Sequence, residues 1–311
     1  MKNETYPNLQ GWDRLGMLLV KFEQFDKAQD VYDMLVNQTK SDSEKADVYH
    51  MLGWVKDSQG EYTDALKYYK QSIEIKQNTS FPISADLAVS YKHAGVVHEK
   101  MAHYSTALAF HQKALEVYQK TLPPNHLDVA NCYDHIGLTY GQMGYHWDAI
   151  SFHQKALEIY ENTLPPNHPD LAISYNHIGL VYGQMGDYWN AMSFHQKALK
   201  IYEATFPTFH PHLATSYNNI GLVYSKMNDY SNALLSFEKA LEIRKNTLPP
   251  NHSDLATSYN NIGILYAKKG EFSKALLLHQ RALEIVQNSL PQNHQDVLIY
   301  KNNIEVIKKL L

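Results

Sequence analysis

A glycine that returns at a fixed interval limits what this chain can fold into more than any other feature. Gly53, Gly95, Gly137, Gly179, Gly221 and Gly263 stand 42 residues apart, and Gly16 precedes them after a shorter step of 37. The neighbours return with the glycine. The stretch SYNHIGLVYGQMGDYWNAMSFHQKALKIY, Ser174 to Tyr202, recurs in edited form along most of the chain. Seven copies of a unit too short to close its own core must stack on one another, which builds a long groove in place of a deep pocket.

Each unit reads as two helices. Leu171, Tyr175, Ile178 and Tyr182 fall at i, i+4, i+7 and i+11, one helical face, and Gly179 lies on it. A glycine inside a helix costs about 1 kcal/mol relative to alanine, so its return predicts a neighbouring helix packed too closely for a side chain. Seven residues further on, Gly60, Gly144, Gly186, Gly270 or Asn228 supplies a residue that tolerates the left-handed conformation and ends the first helix. Three residues later Asp26, Thr63, Ser105, Ser231 and Ser273 are predicted N-caps of a second helix, with Trp147 and Trp189 as exceptions. Ala191, His195, Ala198 and Ile201 or Tyr202 then continue at helical spacing.

Punctuation strings separate the units: LPPNHLD at 122–128, LPPNHPD at 164–170, LPPNHSD at 248–254 and LPQNHQD at 290–296. Their prolines stop the second helix, while Pro169 and Pro211 suit the first position of the next one. Asp86, Asp128, Asp170, Asp254 and Asp296 put a carboxylate at the positive end of the helix dipole. The links NQTKSDSEK (37–45) and NTSFPIS (78–84) depart from the string and predict different packing angles for the N-terminal pairs. At the other end, residues 295–311 read as a capping helix in which Glu305 takes the glycine position. The expected fold is all-α, a single α-solenoid over 1–311 with hairpins at about 9–37, 46–79, 86–122, 128–164, 170–206, 212–248 and 254–290.

Composition removes several function classes. A net charge of −4 with interspersed acids and bases leaves no basic field to hold a nucleic-acid backbone. Cys132 is the lone cysteine, so an internal disulfide framework and cysteine-based zinc sites are excluded and the thiol reads as buried and inert. No apolar run approaches the roughly 20 residues of a membrane helix, and the opening MKNETYPNLQ lacks a signal-peptide core. A cytoplasmic location is expected.

The 17 histidines raise the question of a metal. His93, His135 and His177 share one first-helix position, and His111, His153, His195 and His279 share one second-helix position. Equivalent positions in stacked repeats lie on the order of 10 Å apart, too far for one zinc ion with bonds of about 2.0–2.1 Å. The second-helix histidines replace Tyr32, Tyr69 and Phe237 and read as packing residues, and those of the PPNH strings as turn residues. No serine, histidine and acid set breaks the repeat. The expectation is therefore no metal, no cofactor and no enzymatic activity.

Tyr217-x2-Ile220-Gly221-x2-Tyr224 followed by Ala233-x3-Phe237 resembles the tetratricopeptide repeat signature. The 42-residue period and the turn His168-Pro169-Asp170 are similar to the longer repeats of kinesin light chains. The resemblance implies a right-handed superhelix whose concave face holds extended peptide segments of a protein partner. A kinesin-light-chain-like cargo adaptor, or the repeat region of a larger protein such as an ADP-ribosyltransferase, are the alternatives it implies.

On that resemblance the concave groove is lined, level by level, by His93, His135, His177, Asn219, Asn261 and Asn303; by Asn176, Asn218 and Asn260 one residue earlier; and by Lys100, Gln142, Gln184, Lys226 and Lys268. Asparagine amides both donate and accept, which matches an extended backbone, and the lysines favour acidic segments. Trp147 and Trp189 read either as buried against the preceding turn or as an edge patch for a partner.

Overall fold

The strings and left-handed residues cut the chain into helices and little else. The computed structural model describes residues 11–79, 84–287, 292 and 294–311. The expectations for the first ten residues, for 80–83 of the second link and for Leu290, Pro291 and Asn293 of the last string lie outside the described residues. Contacts group the chain into two compact units, Met1–Thr163 and Leu164–Leu311. The first holds the hairpins α1 (Gly11–Lys21) with α2 (Phe25–Gln38), α3 (Asp42–Gln59) with α4 (Tyr62–Thr79), α5 (Ala85–Lys100) with α6 (Tyr104–Thr121), and α7 (Leu127–Gln142) with α8 (His146–Thr163). The second holds α9 (Pro169–Gln184) with α10 (Tyr188–Thr205), α11 (Pro211–Lys226) with α12 (Tyr230–Thr247), α13 (Ser253–Lys268) with α14 (Phe272–Gln287), and the single helix α15 (Gln295–Lys308). Within each unit every helix packs on its neighbours in sequence, as in an α-solenoid. No helix among the described residues is long and apolar enough to cross a membrane.

The ends of the helices follow from local chemistry, with one correction. Gly60, Gly144, Gly186 and Gly270 take φ of 79–81° and Asn228 takes 61°, which turns the chain out of the first helix. The reversal needs so few residues that the second helix restarts at Tyr188 or Tyr230, with Asp187 and Asp229 as caps. Their carboxylates accept from the Asn190 and Asn232 N–H groups at 3.1 and 3.2 Å. The predicted caps Asp26, Thr63, Ser105, Ser231 and Ser273 are thus the second residue inside their helices, and Trp147 and Trp189 displace no cap. The turn histidines prove to be caps instead. His126, His168, His210, His252 and His294 each accept, through Nδ1, the backbone N–H two residues on at 3.1–3.3 Å. Ser84 does the same ahead of α5 at 3.2 Å.

The repeating glycine has a definite tenant. A Cβ built on Gly16, Gly53, Gly95, Gly137, Gly179, Gly221 or Gly263 would fall 2.5–2.9 Å from a ring atom of Tyr32, Tyr69, His111, His153, His195, Phe237 or His279 respectively. What the glycine admits is a ring from the second helix of the same hairpin, not the backbone of a neighbouring helix. Where the ring is histidine, its nitrogen needs a partner in the core. His153 Nδ1 lies 2.8 Å from Asp134 Oδ1, and His195 Nδ1 lies 2.8 Å from Asn176 Oδ1. Small alanines at Ala191, Ala198, Ala233 and Ala275, all fully buried, bring the helices close enough for this insertion.

At the C-terminal end α15 buries Val297, Tyr300, Ile304 and Ile307, while Glu305 stays in solvent. Its other face carries exposed Leu298, Ile299 and Val306, so the helix closes the last hairpin without presenting the wholly polar surface expected of a terminal cap.

Two predictions follow from the inserted ring. Gly179→Ala gains helix propensity of about 1 kcal/mol but forces the buried His195 ring out of place, an overpacking cost of about 1–3 kcal/mol. Chemical denaturation should show a net loss in the wild-type background and a smaller loss, or a gain, in His195→Ala; equal effects in both backgrounds would contradict the contact. Burial also lowers the His195 imidazole to about 4. The unfolded chain, with an ordinary value near 6.5, therefore binds more protons between those limits, so stability falls as pH drops from about 6.5 to 4, by about 3 kcal/mol from this residue. His195→Phe should flatten the slope of unfolding free energy against pH over that window, and an unchanged slope would refute the assignment.

Candidate functional site

Three positions of each first helix define its outward register, counted from the inserted-ring glycine: two residues before it, one after it and five after it. Spacings of three and four residues put them on one helical face. The structure divides them by role.

The asparagine level is largely turned to neighbouring repeats. Asn261 Nδ2 donates to Asn218 Oδ1 at 2.9 Å, and Asn303 Nδ2 donates to Asn260 Oδ1 at 2.9 Å. Asn176 Nδ2 donates to Ser216 Oγ at 3.4 Å while its Oδ1 partners His195. Asn176, Asn219 and Asn260 are buried. These amides tie one first helix to the next, which corrects the picture of an open ladder of free donors and acceptors.

The level five residues after the glycine remains outward. Lys100, Gln142, Gln184, Lys226 and Lys268 are all exposed. Lys100 Nζ reaches Asp57 Oδ1 of the previous repeat at 2.6 Å, and Lys268 Nζ reaches Ser225 Oγ at 3.2 Å, so two of the lysines also bridge repeats.

The residue just after the glycine gives the face its apolar character. In the second unit Leu180, Leu222, Ile264 and Val306 occupy this one position in four successive first helices and are 38–48% exposed. Their signal was available in the 42-residue period itself. An aliphatic side chain kept in solvent in each first helix of the second unit is a departure from the core pattern.

The histidines divide too. His93 Nδ1 lies 3.1 Å from His50 Nε2, and His50 Nδ1 lies 3.0 Å from Ser90 Oγ. Burial holds the His93 imidazole down to about 3. His135 stacks at 5.1 Å between ring centres on His111 and faces Glu99. His177 is half-buried on α9. The distance argument against shared histidines covers equivalent positions only: a second-helix histidine of one repeat meets a first-helix histidine of the next, as His111 meets His135. Burial pushes the Cys132 thiol up to about 12, leaving no thiolate for chemistry. Trp147 and Trp189 are 71% and 78% exposed, which overturns the buried reading for both. A surface cleft of about 360 Å³ in the second unit is lined by Glu203, Phe209, Tyr217 and Lys239 among others, and the Tyr217 hydroxyl donates to Glu203 at 2.8 Å.

A family profile described as "Tetratricopeptide repeat" matches residues 8–78, 86–162, 148–204, 170–246 and 212–288. Among solved structures, BtubC (BKLC) from P. vanneervenii is similar with a TM-score of 0.61 and 22% identity, over 74% of this chain and 93% of that one. A putative kinesin light chain from Podosopora anserina, described as nearly identical TPR-like repeats, gives 0.56 and 17% over 66% and 98%. The apo form of RapI gives 0.70 and 15% over 89% and 96%. Comparison with curated proteins returns no match. The profile spans most of the chain and the helical pairing agrees with it, so the chain belongs to the tetratricopeptide repeat family.

Proposed function

We propose that the chain is a protein-interaction scaffold that holds an extended peptide against the first-helix face of its second unit. The observation that carries this is the exposed aliphatic column Leu180, Leu222, Ile264 and Val306, flanked by Gln184, Lys226 and Lys268. Aliphatic groups in a row give an extended chain apolar contacts at successive repeats, and the lysines bias it towards acidic side chains. The asparagines serve this face by fixing the spacing between first helices. The tetratricopeptide fold is in general a non-catalytic scaffold, and that general role supports the reading.

The test is selection of a displayed random-peptide library on the purified protein, with affinities then measured for the selected peptides. Leu222→Glu with Ile264→Glu should abolish binding, and Lys226→Glu with Lys268→Glu should weaken acidic peptides more at low than at high salt, because exposed charges are screened. Asn261→Ala should instead lower the melting temperature, since it removes an inter-repeat hydrogen bond worth about 0.5–1.5 kcal/mol. Selected peptides that bind both double mutants with wild-type affinity would rule out this face. Binding lost only in Trp147→Ala or Trp189→Ala would move the contact to the exposed tryptophan edge.

A further inference from the structure

We propose that Glu99, His111 and His135, contributed by α5, α6 and α7, form a site for one divalent metal ion of the zinc class. One ligand atom from each lies within 4.8 Å of the others. His111 Nε2 is 3.3 Å from Glu99 Oε1, and His135 Nδ1 is 3.8 Å from Glu99 Oε2. Bonds of about 2.0–2.2 Å arranged tetrahedrally place neighbouring donor atoms about 3.4 Å apart, and two imidazoles on one such ion have ring centres about 5 Å apart. The observed ring separation is 5.1 Å with the planes 16° apart, so binding requires the rings to turn until both lone pairs meet at one ion.

Nothing else satisfies these nitrogens. Both ring nitrogens of His111 and Nδ1 of His135 are buried without a well-formed hydrogen bond; the polar group facing them is the Glu99 carboxylate, 3.3 Å from His111 Nε2 and 3.8 Å from His135 Nδ1. An unsatisfied buried polar atom is costly, and native structures rarely retain several together. In two other repeats the second-helix histidine rests on an acceptor 19 residues earlier, Asp134 for His153 and Asn176 for His195. Before His111 that position is Lys92, which offers no acceptor.

The carboxylate is held ready. The Thr139 hydroxyl donates to Glu99 Oε1 at 2.5 Å, the outer contact that orients a ligating carboxylate. The Glu99 and His135 side chains keep 19% and 29% of their surface in solvent while His111 keeps none, which leaves an entry path and room for a water as fourth ligand. Two histidines and one carboxylate with an open position are a donor set zinc favours.

The site is an exception within the repeat. At the position of Glu99 the other repeats carry Val20, Asp57, Gly141, Gly183, Ser225 and Ala267, so no other repeat places a glutamate there. An ion bound there would join the third hairpin to the fourth and stabilise the folded unit by mass action.

The test titrates Zn2+ into the untagged, chelator-stripped full chain by calorimetry, follows the melting temperature, and records the visible spectrum with Co2+. The variants are Glu99→Ser, His111→Phe and His135→Asn, each a residue that another repeat already carries at that position, with Glu99→Gln as a volume-preserving fourth. Wild type should take up one equivalent that the variants bind about tenfold or more weakly, melt higher with Zn2+, and give tetrahedral Co2+ bands that the variants lose. No uptake by wild type, or the same stoichiometry and affinity in wild type and all folded variants, would overturn the site and assign any binding to scattered surface histidines.

Discussion

The seating of one aromatic ring against one glycine sets the rest of the geometry. A first helix that gives up a side chain at Gly179 loses about 1 kcal/mol of propensity, and the space is filled by His195, just 1% exposed. The depth of that insertion fixes the distance and rotation between the two helices of a hairpin, since neither ring nor backbone can yield without overlap. Seven such seats, from Gly16 with Tyr32 to Gly263 with His279, give each hairpin the same shape. Within each unit the residues before and after each glycine then keep the same register from one hairpin to the next.

Using histidine as the ring has a consequence that tyrosine and phenylalanine do not share. The imidazole brings two nitrogens into the core, and the structure answers with a neighbouring acceptor, Asp134 or Asn176. At His111 that acceptor is missing, and Glu99 approaches from the same first helix that carries Gly95. The metal site inferred there arises from the packing rule itself: a histidine seated for its shape, with its polar atoms turned to a neighbour from the next repeat.

Several contacts between repeats share a second spacing. Asn261 to Asn218, Asn303 to Asn260, Lys100 to Asp57 and Lys268 to Ser225 all run back 43 residues, one more than the period. A side chain on one first helix thus reaches the position one residue earlier in register on the helix before it. These bonds consume many of the polar groups on the first-helix face, and what remains outward is the aliphatic column with its lysines and glutamines. A face built this way suits recognition by apolar contact with charged edges.

The sequence alone determined the unit, its two helices, the left-handed turns and the family, because periodicity and turn chemistry are local properties readable from spacing. It also placed Pro169, Pro211 and the glycines at the right boundaries. Tertiary structure decided which groups meet. The asparagines looked available from their position on the helix, yet Asn218 and Asn261 bond each other; the tryptophans could be argued inward or outward, and only packing put Trp147 and Trp189 in solvent. The histidine spacing rule compared like positions, whereas stacking joins unlike ones, the second helix of one repeat and the first of the next. That pairing depends on the interaxial distance set by the seated ring, a quantity that no one-dimensional period contains.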